Sequence, residues 1–156
     1  MMKKAIIALA GVLVVVLGTP TICHAESAAV TVPDAGLVIS KAWVRAVPEV
    51  SSVTAAYVSI QNTGKSSDVL VSVASPAAAQ VNVHRMTMNG AVMHMEKLKE
   101  LKIPAGKTVA MDPDGIHIML EQLKAPLKVG DSIELTLHFR KAGEVKVKAT
   151  VTADPS

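Results

Sequence analysis

Between Ile133 and Val151 the chain alternates almost without interruption. Ile133, Leu135, Leu137 and Phe139 are separated by Glu134, Thr136 and His138, Lys141 to Glu144 reads as a turn, and Val145, Val147, Ala149 and Val151 resume the pattern. Successive side chains of an extended strand point to opposite sides, so period two puts all the apolar residues on one face. The segment reads as an antiparallel hairpin whose apolar face needs a covering layer. No stretch has a helical period of convincing length. Instead, short alternating runs bounded by turn residues recur at 37–45, 54–61 and 69–74, with a strand-like run at 107–111. Residues 98–103 are ambiguous, and 120–127, containing Pro126, reads as a connection or a short helix. Trp43, Tyr57 and Phe139 are the only aromatic residues, so the core must be built from Val, Leu, Ile and Ala. Strands at this spacing predict an all-β Greek-key β-sandwich.

Residues 1–25 have the plan of a secretory signal peptide. Lys3 and Lys4 supply the charged start, Ala5 to Leu17 the apolar run, and Cys23-His24-Ala25 small residues flanking a cleavage point after Ala25. The apolar run is short for a membrane span. A lipid anchor on Cys23 is disfavoured because Ile22 precedes it where a small residue is expected. Residues 26–156 are then expected to form a single domain in the periplasm. Loss of Lys3 and Lys4 leaves fourteen basic residues against thirteen acidic ones. A net charge of +1 implies no polyanion-binding surface, hence no nucleic-acid partner. The only cysteine leaves with the leader. Soft-metal chemistry in the exported chain must therefore rest on methionine rather than thiolate.

Methionine is where the composition concentrates. All six methionines after the leader (Met86, Met88, Met93, Met95, Met111, Met119) and three of its four histidines (His84, His94, His117) lie between His84 and Met119. Asn89-Gly90 is a strong hairpin signal, because a type I′ turn needs positive φ at both central positions. A two-residue loop at 89–90 would set 88 against 91, Met86 against Met93 and His84 against Met95. Downstream, His117 and Met119 are two apart in a β-like run and share a face. Two strand pairs, each offering an imidazole and a thioether, make a four-ligand set of His84, Met95, His117 and Met119. Thioether sulfur favours Cu(I), so the mixture points to copper rather than zinc or calcium. Parity puts Met86, Met88 and Met93 on the same face as auxiliary ligands, a shuttle path or a soft docking surface. The opposite face would carry Arg85, Thr87 and His94, which are poor core residues. The hairpin should accordingly project beyond the sheet or be bulged near Arg85. Met111 is expected in the core, and His138 in solvent.

At these residues the chain resembles the PCu(A)C periplasmic copper chaperones, whose pattern is a His, ten residues, a Met, twenty-one residues, then His-x-Met. His84, Met95, His117 and Met119 match it without a gap. The likeness extends to A-W-V-R at 42–45, A-A-Y-V-S-I-Q-N-T-G at 55–64, I-P-A-G at 103–106 and P-L-K-V-G-D at 126–131. The resemblance implies a cupredoxin-like form of the sandwich and a Cu(I) metallochaperone. As recipient it implies the dinuclear copper centre on the membrane-bound, copper-accepting subunit of cytochrome c oxidase, with other periplasmic assembly factors as further partners. For Trp43 and Arg45, in the family's Trp-x-Arg segment, a structural role is expected. The His/Met-rich tail that longer members carry for Cu(II) has no counterpart in Thr152-Ala-Asp-Pro-Ser156.

Enzyme readings find no support. There is no nucleophile elbow, no phosphate-cradling glycine loop, and Asp112-Pro-Asp-Gly115 lacks the rest of a calcium loop. A blue-copper redox site would need a cysteine thiolate. No small-molecule substrate is expected. Two alternatives to delivery remain open at this stage: a copper buffer or resistance protein without a dedicated recipient, and a metal-free module that docks a protein through its methionine-rich hairpin.

Overall fold

A computed structural model describes residues 28–153. The leader read over 1–25 lies outside the described residues. Eleven strands follow one another: β1 (Val30–Val32), β2 (Leu37–Arg45), β3 (Val53–Asn62), β4 (Asp68–Ala74), β5 (Ala78–Asn89), β6 (Val92–Leu98), β7 (Leu101–Ile103), β8 (Thr108–Ala110), β9 (Ile116–Leu123), β10 (Ser132–Phe139) and β11 (Gly143–Thr152). The only helical turn among the described residues is a 3-10 turn at Pro33–Ala35. The protein is all-β, and its final hairpin pairs Leu135 with Val147 and Leu137 with Val145, as the alternation requires.

The main ladder runs β6-β5-β9-β3-β2-β11-β10-β4-β7, with β1 added to β2 and β8 to β3. This path folds back on itself. Asn62 on β3 donates its side-chain amide to the Ile103 carbonyl on β7 at 3.1 Å, although four strands lie between them in the ladder. The enclosed core is aliphatic: Leu37, Ile39, Val44, Val58, Ile60, Leu70, Ile103, Ile118, Leu120, Leu135, Leu137 and Val151 are fully buried. Met111 is buried with them. Burying one such side chain stabilises the fold by roughly 1.5–3 kcal/mol before entropy is counted. The 3-10 turn ends at Gly36, whose φ of +64° and close approach to Gly64 exclude a side chain there.

Two local expectations are corrected. No short helix forms over 120–127: β9 continues to Leu123, pairing with Ala78, because Ile118 and Leu120 alternate into the core, and only 124–127 form the expected connection. The hairpin loop is Gly90-Ala91 rather than Asn89-Gly90, since Asn89 pairs with Val92. Only Gly90 has positive φ, at +64°. This is the pattern of a type II′ turn, which asks for positive φ at its first central position alone and so spares Asn89 the left-handed region.

The choice left open near Arg85 is decided in favour of projection. The β5–β6 ladder runs from Val83–Leu98 to Asn89–Val92 with no register shift, whereas the β5–β9 ladder stops at Arg85–Ile116. Beyond Arg85 the hairpin stands clear of β9. Thr87 and His94 are therefore exposed rather than buried on a core face.

Candidate metal centre

β5 is the middle strand of the site, with β6 on one side and β9 on the other. Its odd-numbered Val83 turns to the core, so His84 and its neighbours at even positions face outward. The loop position displaces the β5–β6 register by two residues from the expected one, and His84 faces Lys97 instead of Met95. A displacement of two preserves faces, because side chains alternate with period two. Met95, which pairs with Met86, is thus the diagonal neighbour of His84 on the same face. Diagonal neighbours stand about 7–8 Å apart at the backbone, within reach of a long side chain.

On the other side, His84 lies directly opposite His117, and Asn82 opposite Met119. The two histidines belong to different strands that the sequence alone gave no reason to pair. Their ring centroids are 6.0 Å apart with planes at 61°. A metal bonded to an imidazole nitrogen at about 2 Å sits roughly 3 Å from that ring's centroid, so both rings can reach one ion between them. The structure thereby gathers His84, Met95, His117 and Met119 on one face of three adjacent strands. Met86, Met88 and Met93 extend that face along the hairpin, while His94 points the other way and His138 lies on β10, within 3.9 Å of Glu144.

Local electrostatics suit neutral ligands. His117 is buried, and its Nδ1 lies 3.4 Å from the Gly115 carbonyl. Donation there fixes the tautomer and leaves Nε2 free to ligate, the usual outer-sphere arrangement of metal-binding histidines. His84 Nδ1 is buried with no hydrogen-bond partner in the protein. Such an orphaned nitrogen is costly unless something else satisfies it, and a metal bond would do so. Burial holds the His84 pKa below its ordinary value, His117 pushes it the same way, Glu121 opposes, and Lys97 lowers it further. No group of three or more His, Cys, Asp or Glu that could hold a metal occurs among the described residues. The thioethers that share this face suit a metal that accepts soft sulfur ligands.

Two residues of this face escaped the sequence reading as part of the site. Tyr57 is buried, and one step beyond the Ala56–Ile118 pair of the β3–β9 ladder it stands in line with His117. Trp43 pairs with Tyr57 and stacks on it at 4.2 Å. By strand parity the two rings continue the face that carries the histidine row. The parity of β2 and β3 contains this signal, but only the β3–β9 pairing connects it to His117.

Fold and surface define a class: an all-β domain that displays a mixed imidazole and thioether cluster on the outer face of its sheet. Residues 37–151 match the family described as "Putative lipoprotein LpqE-like". The chain belongs to this LpqE-like family. A protein of Leifsonia xyli subsp. xyli described as "Putative lipoprotein Lxx21020" is 43% identical over 105 residues, which is 67% of this chain and 62% of that one. The chain thus spans somewhat under two thirds of that relative. Among solved structures, the fold is similar to the copper-bound PCuAC domain from PmoF2, with 29% identity, a TM-score of 0.66, and coverage of 83% of this chain and 98% of that one. It is also similar to the Cu(I) form of DR1885 from Deinococcus radiodurans, with 36% identity, a TM-score of 0.61, and coverage of 74% and 77%.

Proposed function

We propose that this protein is an exported, periplasmic Cu(I) metallochaperone whose ion is held by His84, Met95, His117 and Met119, and that it delivers copper to the dinuclear centre of cytochrome c oxidase. The observation that supports the reading is the strand register, which gives these four positions one parity on three adjacent strands and sets the two imidazoles opposite each other. Support comes also from the copper-bound and Cu(I) forms of the PCuAC structures that share the fold. The relatives' description as lipoproteins fits an exported, envelope-associated chain.

A carrier must hold its ion against solvent and still admit a partner's ligand before its own last ligand leaves. The arrangement serves both needs. His117 is buried and anchors the site from behind, whereas Met95 is half exposed at 49% and lies on the open side. All four ligands are neutral, so transfer to a partner separates no ion pair. Copper is here the cargo, and the chain itself supplies only ligands and access.

An anaerobic Cu(I) titration of the exported chain against a chromophoric competitor tests the site. Tight one-to-one binding, weakened by Met95→Leu and by His117→Ala, is the expected result; failure of the wild type to compete would overturn it. Delivery is tested separately in a deletion strain. Oxidase activity lost and then restored by added copper is expected, whereas copper sensitivity with normal oxidase activity would assign the protein to buffering instead.

A further inference from the structure

We propose that the projecting hairpin carries a second, weaker soft-metal site made only of thioethers, in which Met86, Met88 and Met93 bind a univalent soft cation, joined by Met95 only while the primary site is empty. This rests on the reading of Met95 as a ligand of the primary site, because Met95 is the residue the two sites share.

The register creates the site. Met86 pairs with Met95 and Met88 with Met93, so the four methionines form two consecutive cross-strand rows. Their positions on β5 and β6 have the same parity, which puts all four on the face that holds His84. Directly opposed side chains have Cβ atoms about 4.5–5.5 Å apart, and rows on one face repeat about every 7 Å along a strand. Methionine is unbranched, with three rotatable bonds, so four sulfurs starting from such an array can converge on one ion. With the register first expected, Met88 would have faced Ala91 and Met95 would have faced His84, and no such array would exist.

Exposure grades along the same line. Met88 is 62% exposed, Met93 59% and Met95 49%, Met86 is only partly exposed, and His117 is buried at 4%. Large apolar side chains left in water at the tip of a structured hairpin call for a role. Val92, also exposed at 57%, shows that the tip has some general apolar character, but it lies on the opposite parity from the methionines. Thioethers bring no charge, so the bound ion would remain a single positive charge near water, where its desolvation cost is small. The second site should be the weaker of the two. It lacks imidazole, and binding must order flexible side chains at a cost in rotamer entropy.

A soft ion meeting the tip would thus pass from an open all-sulfur site to the buried His/Met site through Met95, which can bond to it in both. Transfer by exchange of one shared ligand needs no free ion.

The test is a titration of the wild-type exported chain, carrying 13C-labelled methionine methyl groups, with Ag(I), a soft univalent ion that does not redox-cycle. The first equivalent should shift the Met95 and Met119 methyls, and the second those of Met86, Met88 and Met93. The triple variant Met86→Leu, Met88→Leu, Met93→Leu should bind one equivalent where the wild type binds two. Methyls of Met86, Met88 and Met93 that stay unmoved through the second equivalent would overturn the proposal, as would a second equivalent retained by the triple variant. Hairpin methyls that shift while Met119 never does would uphold this site and remove the primary one.

Discussion

Lowering the pH should release Cu(I), and the structure sets how steeply. The two imidazoles face each other, and in the proposed site each must be neutral to bond a metal. Below its pKa, each imidazole costs about tenfold in apparent affinity per pH unit, equivalent to about 1.4 kcal/mol. With both protonated in the metal-free protein, the loss becomes about a hundredfold per unit. Thioethers take up no proton, so Met95 and Met119 add nothing to this slope. The His84 branch is displaced to low pH, because burial first, then His117, opposed by Glu121 and aided by Lys97, holds its pKa down. The same shift has a sign for stability. The unfolded chain protonates His84 before the native one does, so stability from neutral His84 is complete above the ordinary histidine value. It is lost as pH falls through the lowered native value. Anaerobic competition titrations between about pH 5 and 8 span the range. His84→Asn should reduce the limiting slope by one order per pH unit. Affinity that stays flat with pH, or a slope unchanged in His84→Asn, would refute the two-imidazole site.

Other consequences can be checked separately. Met95→Leu and Met119→Leu should each weaken Cu(I) binding by at least the 10–100-fold typical of disturbing a metal's surroundings, with circular dichroism unchanged for Met95→Leu because that side chain is half exposed. Gly90→Ala should cost about 1–3 kcal/mol in denaturant titrations, the penalty of a non-glycine residue at the positive-φ position of a type II′ turn, since nothing lies near its added Cβ. Gly36→Ala should cost more, because its Cβ would also come within 2.6 Å of the Gly64 backbone nitrogen. The mass of the exported protein should correspond to a chain starting at Glu26; a lipid-modified chain starting at Cys23 would contradict cleavage after Ala25.

What the sequence determined by itself is whatever depends on parity. Alternation identified the final hairpin, the all-β character and the outward face of His84, Met86, Met88, Met93 and Met95, because side-chain direction along a strand follows from local backbone geometry alone. The position of a turn is a finer matter. Asn-Gly could serve a type I′ loop, yet a II′ loop at Gly90-Ala91 demands positive φ of glycine only, and it moved His84 from Met95 to Lys97 without changing any face. Which strands lie side by side was decided by the tertiary structure. His117 stands against His84 because β9 packs Ile118 and Leu120 into the core while inserting between β5 and β3, and Tyr57 joins the same row for that reason. Such pairings join residues far apart in the chain. Their choice rests on how the whole apolar surface can be buried at once, a property no local pattern encodes.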